Sequence, residues 1–237
     1  MESELLETNG SIDVVWLELD QPAEIVDELA RMLDPDEQRR VARLASPLER
    51  SRATVRLARR RQVLSDILSL PPELIDTRPH SSGQPRCVAE SREPLFISAS
   101  HCEEVGLIAV ARDRTVGVDV EATHELPDPD QFAQWVAAVE ELHEINELEL
   151  GERPSACLRL WTRKEAYLKA TGRGIGEGMH QVRVPLEPGP WELPFQPRPD
   201  GPDWLLFELE TPRGGLNASL VMARHDSNVP RVTVTSR

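Results

Sequence analysis

Apolar and polar residues nearly alternate along SIDVVWLELD before the segment turns polar. That period of two marks the first strand. In QPAEIVDELARML the apolar positions Ile25, Val26, Leu29 and Leu33 fall at helical spacing. DPDEQRRVARL starts a second helix, with Asp34 or Asp36 as its cap and Pro35 suited to an early turn. The longest helical run reaches from about Ser51 to Leu68. PPELIDTRPHSSGQPRCVAESREP is broken by proline and glycine and reads as mostly loop with short strands. PLFISASH and EVGLIAVARDRTVGVDVEA return to β periodicity, strongest over Val105–Val110 and Val116–Val120, and ARDRT is expected as a hairpin turn. DPDQFAQWVAAVEELHEINEL reads as helical, and SACLRLWTRKEAYLKATG as a further helix stopped at Gly172, with Gly174 just beyond. MHQVRVPL is expected as a strand and Pro185 to Pro202 as a proline-rich surface loop. LLFELET and ASLVMARH then form a closing hairpin around PRGG. The order of elements points to an α+β fold of two lobes meeting near residues 112–118, with no internal repeat visible in the amino acids themselves.

Composition narrows the class. A chain of 237 residues can bury a sizeable core, and 39% apolar with 29% charged residues is ordinary for a globular protein. A net charge of −14 argues against a general nucleic-acid binder, which needs a basic field. MESELLETNG is acidic and lacks the apolar stretch of a secretory signal, and no run approaches a membrane span. Cys87, Cys102 and Cys157 contain no CxxC pair and leave one thiol over in any disulfide scheme. A reduced, cytoplasmic protein is therefore expected.

The candidate chemistry is concentrated in two segments. The chain has only two lysines, Lys164 and Lys169, both within WTRKEAYLKATGRG; arginine carries the rest of the basic charge. Glu165 precedes Lys169 by four residues, so a helix places both on one face. In VGVDVE, Asp119 and Glu121 stand two apart, and a strand turns both carboxylates to the same side, opposite Val118 and Val120. Like charges so close repel unless a cation or a proton intervenes, and Mg²⁺ favours one or two carboxylates together with phosphate oxygens. Singly, each pair reads equally as a solvated strand edge or an exposed salt bridge. Ser100 and His101 end the FISAS strand at the CEE break, where a turn can present an imidazole and backbone N–H groups to a phosphate. Arg39, Arg40, Arg43, Arg52, Arg56, Arg59, Arg60 and Arg61 form a basic run suited to a local polyanion site. GRGIG is neither GxGxxG nor a Walker loop, which disfavours dehydrogenase and ATPase readings.

Four ordered blocks carry a resemblance: GQP at 83–85, SHC at 100–102, GVDVE at 117–121 and WTRKEAYLK at 161–169. Together they resemble the 4′-phosphopantetheinyl transferases of the surfactin-synthetase-activating (Sfp) type, over about residues 12–225. That resemblance implies a pseudo-dimer of two similar α+β lobes, residues 1–112 and 113–237, with coenzyme A in the cleft between them. It implies a holo-[acyl-carrier-protein] synthase type of activity. In the implied reaction the 4′-phosphopantetheine arm of coenzyme A would pass to a serine of an apo acyl or peptidyl carrier protein, releasing 3′,5′-ADP. It assigns Mg²⁺ to Asp119, Glu121 and Glu165, with Glu165 also the general base, and Lys169 to the phosphates and leaving group. Ser100, His101, Arg40, Arg52 and Arg86 are implied coenzyme A contacts. The chain departs from the pattern at Cys102, where the family has serine, and at Glu37, where a basic nucleotide contact is implied. QWVAAVEE at 134–141 replaces the family's aromatic pair with its preceding basic residue. Carrier recognition is expected to rely on a local arginine patch, on apolar contact from Trp135 and its neighbours, or on a less acidic partner, and the acidity of this chain favours a secondary-metabolite peptidyl carrier over a fatty-acid carrier. A monomer is expected, without nucleic-acid or membrane partners. A non-catalytic carrier-binding homologue and another Mg²⁺-dependent transferase acting on a nucleotide diphosphate remain the alternatives.

Overall fold

A computed structural model of the chain describes residues 10–77, 86–87, 95–123, 126–172, 178–187, 193–197, 203–224 and 230–237. The strands are β1 (Ser11–Glu18), β2 (Arg86–Cys87), β3 (Leu95–Cys102), β4 (Val105–Ala111), β5 (Val116–Ala122), β6 (Leu193–Phe195), β7 (Trp204–Glu208), β8 (Leu216–Ala223) and β9 (Arg231–Ser236). The helices are α1 (Ala23–Ala30), α2 (Pro35–Ala42), α3 (Pro47–Leu68), α4 (Pro129–Val136), α5 (Val139–Glu147) and α6 (Arg153–Thr171).

Two sheets form, in the orders β2-β3-β4-β1-β9 and β5-β8-β7-β6. Because side chains alternate along a strand, each sheet has two faces to cover. Ile12, Val14, Trp16, Leu107 and Ala109 of the first sheet pack against Val116, Val118, Val120, Leu205 and Leu220 of the second. The opposite face of the first sheet, with Val15, Leu17, Ile97 and Val110, packs on Leu29 of α1 and Val55, Ala58 and Leu64 of α3. The far face of the second sheet, through Leu206 and Val221, packs on α4, α5 and α6. The layers therefore run helices, sheet, sheet, helices. Double coverage explains why β4, VGLIAVA, is buried at all seven positions.

Several helix ends follow the expected chemistry. Asp34 caps α2 in a capping box closed by Glu37, with Pro35 at the first helical position. Ser46 caps α3, which starts at Pro47, ahead of the expected Ser51. Gly172 stops α6 in the left-handed conformation, φ 70°. The closing hairpin is present as β7 and β8, paired antiparallel from Trp204↔Ala223 to Glu208↔Ser219.

Three expectations are corrected. Residues 112–115 are not a hairpin turn: β4 pairs with β1 and β3, whereas β5 pairs with β8, so the connection carries the chain from one sheet to the other. The helical stretch after Pro129 is interrupted at Ala137 and Ala138, both extended. MHQVRVPL is a 3₁₀ turn, Met179–Gln181, followed by a chain that joins no sheet. Its Val182, Val184 and Leu186 are buried as the alternation implies, but apart from Arg183 N–H, which donates to the Pro197 carbonyl, and Val182 N–H, which closes the 3₁₀ turn, its backbone bonds to side chains. Val184 N–H donates to Glu141, Arg163 donates to the carbonyls of Pro185 and Glu187, and Arg159 donates to that of Leu186. The last strand, β9, joins the first sheet parallel to β1, across the 112/113 division drawn from sequence.

Candidate active site

The site begins with a glycine. β5 is the edge strand of its sheet, and α6 lies across the face that carries Gly117, Asp119 and Glu121. A methyl group on Gly117 would stand 1.9 Å from the Ala166 carbonyl oxygen and 2.5 Å from the Ala170 nitrogen. Only a residue without Cβ allows this helix so close to this strand. Glu165 and Lys169 flank Ala166 and Ala170 on α6, so the same contact sets them over the β5 acids.

β3 closes the other side. Its even-numbered residues face β5: Val118 N–H donates to Ser98 Oγ at 3.0 Å, and Ala122 N–H donates to Cys102 Sγ at 3.1 Å. Small polar side chains thus satisfy the outer edge of β5, and cysteine at position 102 serves as an acceptor. Between them, Ser100 Oγ donates to Asp119 Oδ1 at 2.7 Å. Lys169 Nζ lies 2.7 Å from the same oxygen and 3.0 Å from Ser100 Oγ. The Trp161 indole N–H donates to Glu121 Oε1 at 3.1 Å.

Asp119 and Glu165 are buried. Asp119 Oδ2 and Glu165 Oε1 find no hydrogen-bond partner, which is costly for buried carboxyl oxygens. Burial, helped by the Asp119 and Glu121 charges and opposed by Lys169, raises the Glu165 pKa from 4.5 to about 7. The readings of a solvated strand edge and of a simple exposed salt bridge are both excluded by this burial and by the Lys169–Asp119 contact. Among the described residues, no group of three or more His, Cys, Asp or Glu side chains is already gathered as a metal cage.

His101 turns to the opposite face of β3, toward α3. Arg56 Nη1 lies 2.6 Å from both ring nitrogens. Partial burial, with the Arg56 and Lys169 charges, lowers the His101 pKa to about 4. Here a cavity of about 250 Å³ is lined by Arg40, Arg56, Arg60, Ser100 and His101. Burial lowers the pKa of both Arg56 and Arg60, and the Arg40 charge adds to it. Crowded guanidiniums of this kind favour an anion.

Of the other expected residues, Arg52 donates to both carboxylate oxygens of Asp20, at 2.6 and 2.8 Å. It stands instead on a second cavity, of about 330 Å³, with Arg56 and His101. Arg86 contributes backbone to β2, and its side chain lies outside the described residues, as do GQP at 83–85 and Gly174. Glu37 is wholly buried, receiving bonds from Arg61, Thr77 and the Asp34 backbone, so it faces no ligand. From the basic run, Arg40, Arg56 and Arg60 line the cavity, Arg56 and Arg60 one helical turn apart on α3. Lys164 is a different kind of lysine from Lys169. It is fully buried, donating to Glu141 and to the carbonyls of Val136 (2.8 Å) and Met179 (3.0 Å).

An edge strand with paired acids, a glycine-seated helix bearing Glu and Lys, and an arginine-lined cavity stand close together, a chemistry suited to an anionic ligand. Residues 115–221 match the model of the 4′-phosphopantetheinyl transferase superfamily. The 4′-phosphopantetheinyl transferase HetI of Nostoc is 31% identical over 198 residues, covering 82% of this chain and 81% of its own. The slr0495 protein of Synechocystis, whose own assignment to that activity is provisional, is 31% identical over 170 residues, 71% of this chain and 68% of its own. The L-aminoadipate-semialdehyde dehydrogenase-phosphopantetheinyl transferase of Xenopus laevis is 25% identical over 174 residues, 69% of this chain and 57% of its own. The chain belongs to the 4′-phosphopantetheinyl transferase superfamily. No helix among the described residues is long and apolar enough to cross a membrane.

Proposed function

We propose that the chain is an Sfp-type enzyme that moves the 4′-phosphopantetheine arm of coenzyme A to a serine of an apo carrier protein, releasing 3′,5′-ADP. The observation that carries this reading is the seating of α6 on Gly117, which brings Glu165 and Lys169 to Asp119 and leaves two buried carboxyl oxygens without partners. The two sheets with their helices are read as the two lobes, and the cleft as the place where β3 meets β5 and α6.

An all-oxygen donor set suits a hard divalent cation. Asp119, Glu121 and Glu165 would hold Mg²⁺, which supplies positive charge against the pyrophosphate of coenzyme A. The arginines at 40, 56 and 60 and neutral His101 would bind the remaining phosphate oxygens. In the transfer, the carrier serine Oγ bonds to the phosphorus that bears the pantetheine arm, and the bond from that phosphorus to the bridging oxygen breaks. The serine proton passes to Glu165, directly or through a water it orients, and Lys169 steadies the departing 3′,5′-ADP. No protein nucleophile is needed, so alignment and electrostatics supply most of the rate.

The test is incubation with coenzyme A, Mg²⁺ and a panel of apo-peptidyl and apo-acyl carriers. Mass gain of one phosphopantetheine arm, lost when the carrier serine is alanine, is the expected result, with faster transfer to peptidyl carriers. No gain on any carrier overturns the reading.

A further inference from the structure

Between the acid cluster and the surface stands a column of aromatic rings. Trp135, on α4, is 58% exposed. Its ring stacks on Trp161 of α6, with centroids 5.3 Å apart and planes 29° apart. Phe132, one turn earlier on α4, meets both rings, at 6.0 Å from Trp135 and 5.8 Å from Trp161. The inner member of the column bonds an acid of the site, through Trp161 Nε1 to Glu121 Oε1 at 3.1 Å. Trp161 and Glu165 are also one helical turn apart on α6, so both sit over β5.

An indole nitrogen only donates, and a carboxylate only accepts. The pairing fixes one oxygen of Glu121 and thereby the direction of the other. Asp119 is already held by Ser100 and Lys169. Glu121 lies at the more open end of β5, where the burial of that strand gives way to partial exposure. A glutamate there has more rotamers to lose than a buried aspartate.

We infer that Trp161 is a positioning residue: its N–H orients Glu121 for the divalent cation, and the Trp135–Phe132 pair holds the indole in place. The inference rests on the metal role proposed above for Glu121. Partners that orient a ligand in this way change metal affinity by about 10–100-fold when removed. Trp161→Phe keeps an aromatic ring against Trp135 and Phe132 and deletes the N–H.

The experiment is a Mn²⁺ titration followed by electron paramagnetic resonance, with and without coenzyme A, and a urea midpoint for each protein. Wild type, W161F, W135F, D119A and the pairs E121A and E121A/W161F are compared. W161F is expected to bind Mn²⁺ about tenfold more weakly at a near-native midpoint. W135F, which leaves the N–H in place, should lose less. In the E121A background W161F should add no further loss, because the indole acts through that carboxylate. W161F binding as tightly as wild type overturns the inference while the metal reading stands, provided D119A has lost binding. Equal losses in W135F and W161F, or additive losses in E121A/W161F, show general packing and also overturn it. A wild type that takes up no Mn²⁺ overturns both.

Discussion

Replacing Gly117 by alanine tests the architecture at its narrowest point. The added methyl would lie 1.9 Å from the Ala166 carbonyl oxygen and 2.5 Å from the Ala170 nitrogen. Both are backbone atoms of a helix interior and cannot rotate aside. Reaching even 3.0 Å requires α6 to withdraw from β5 by roughly 1 Å. β5 cannot retreat freely, because Val116, Val118 and Val120 are packed against the first sheet. Overpacking of this kind costs about 1–3 kcal/mol. For a chain of this size, that lowers the melting temperature by roughly 3–10 °C. Glu165 and Lys169 move with the helix, and the 2.7 Å Lys169–Asp119 contact opens. A displacement near 1 Å can cost about a hundredfold in rate. Differential scanning calorimetry and carrier-transfer rates on the same preparation, at a temperature where G117A is folded, give both numbers. Gly151→Ala is the control, since its methyl would meet nothing within 4 Å. Native stability and native turnover in G117A would refute the account of how α6 is seated.

Glu165 carries a pH prediction for the metal-free protein. Its pKa is raised from 4.5 to about 7, so the stabilisation is present below pH 4.5 and lost as pH rises through 7, at most about 3 kcal/mol. Urea unfolding in chelator should show wild type weakening between pH 5 and 8, and E165Q, neutral throughout, should show a flatter profile; parallel profiles would contradict the burial of an uncompensated carboxyl. Lys164→Met strands the buried Glu141 carboxylate and should cost about 3–5 kcal/mol by urea unfolding; a near-silent K164M would sink the structural role. His101, held down to about 4 by burial and by the Arg56 and Lys169 charges, should titrate well below its ordinary 6.5 by NMR, and R56A should raise its pKa only part of the way; titration near 6.5 in wild type would contradict the burial of the ring beside these cations.

Much of the site was legible because its residues are linked by short periods. Two residues along a strand and four along a helix are enough to gather Asp119 with Glu121 and Glu165 with Lys169. What brings the two pairs together is the missing Cβ of Gly117, visible in sequence as part of a motif but not as a distance. The errors share one cause. Alternation identifies a strand but not its partner, so β4 and β5 looked like a hairpin although they belong to different sheets. The break at Ala137 and Ala138 has no glycine or proline to announce it. It persists because Lys164, distant in sequence, takes the Val136 carbonyl, while Glu141, three residues on, takes the Ala138 N–H and caps the helix that follows. Residues 182–186 follow the same rule: buried side chains supply most of the bonds a neighbouring strand would make, beside one from Arg183 N–H to the Pro197 carbonyl. Arg52 was legible as a base on the correct helix, but not as the partner of Asp20, thirty-two residues away.

The central claim is that the acids between β3, β5 and α6 are the centre of phosphopantetheine transfer. Intact-mass kinetics of an apo-peptidyl carrier with coenzyme A, run across a Mg²⁺ titration with wild type and D119A side by side, test it most directly. The account predicts that the carrier gains one arm per 3′,5′-ADP released, only with the divalent cation, and that D119A is folded but inert at every Mg²⁺ concentration. Transfer by D119A at the wild-type rate, or by wild type in excess chelator, would contradict it.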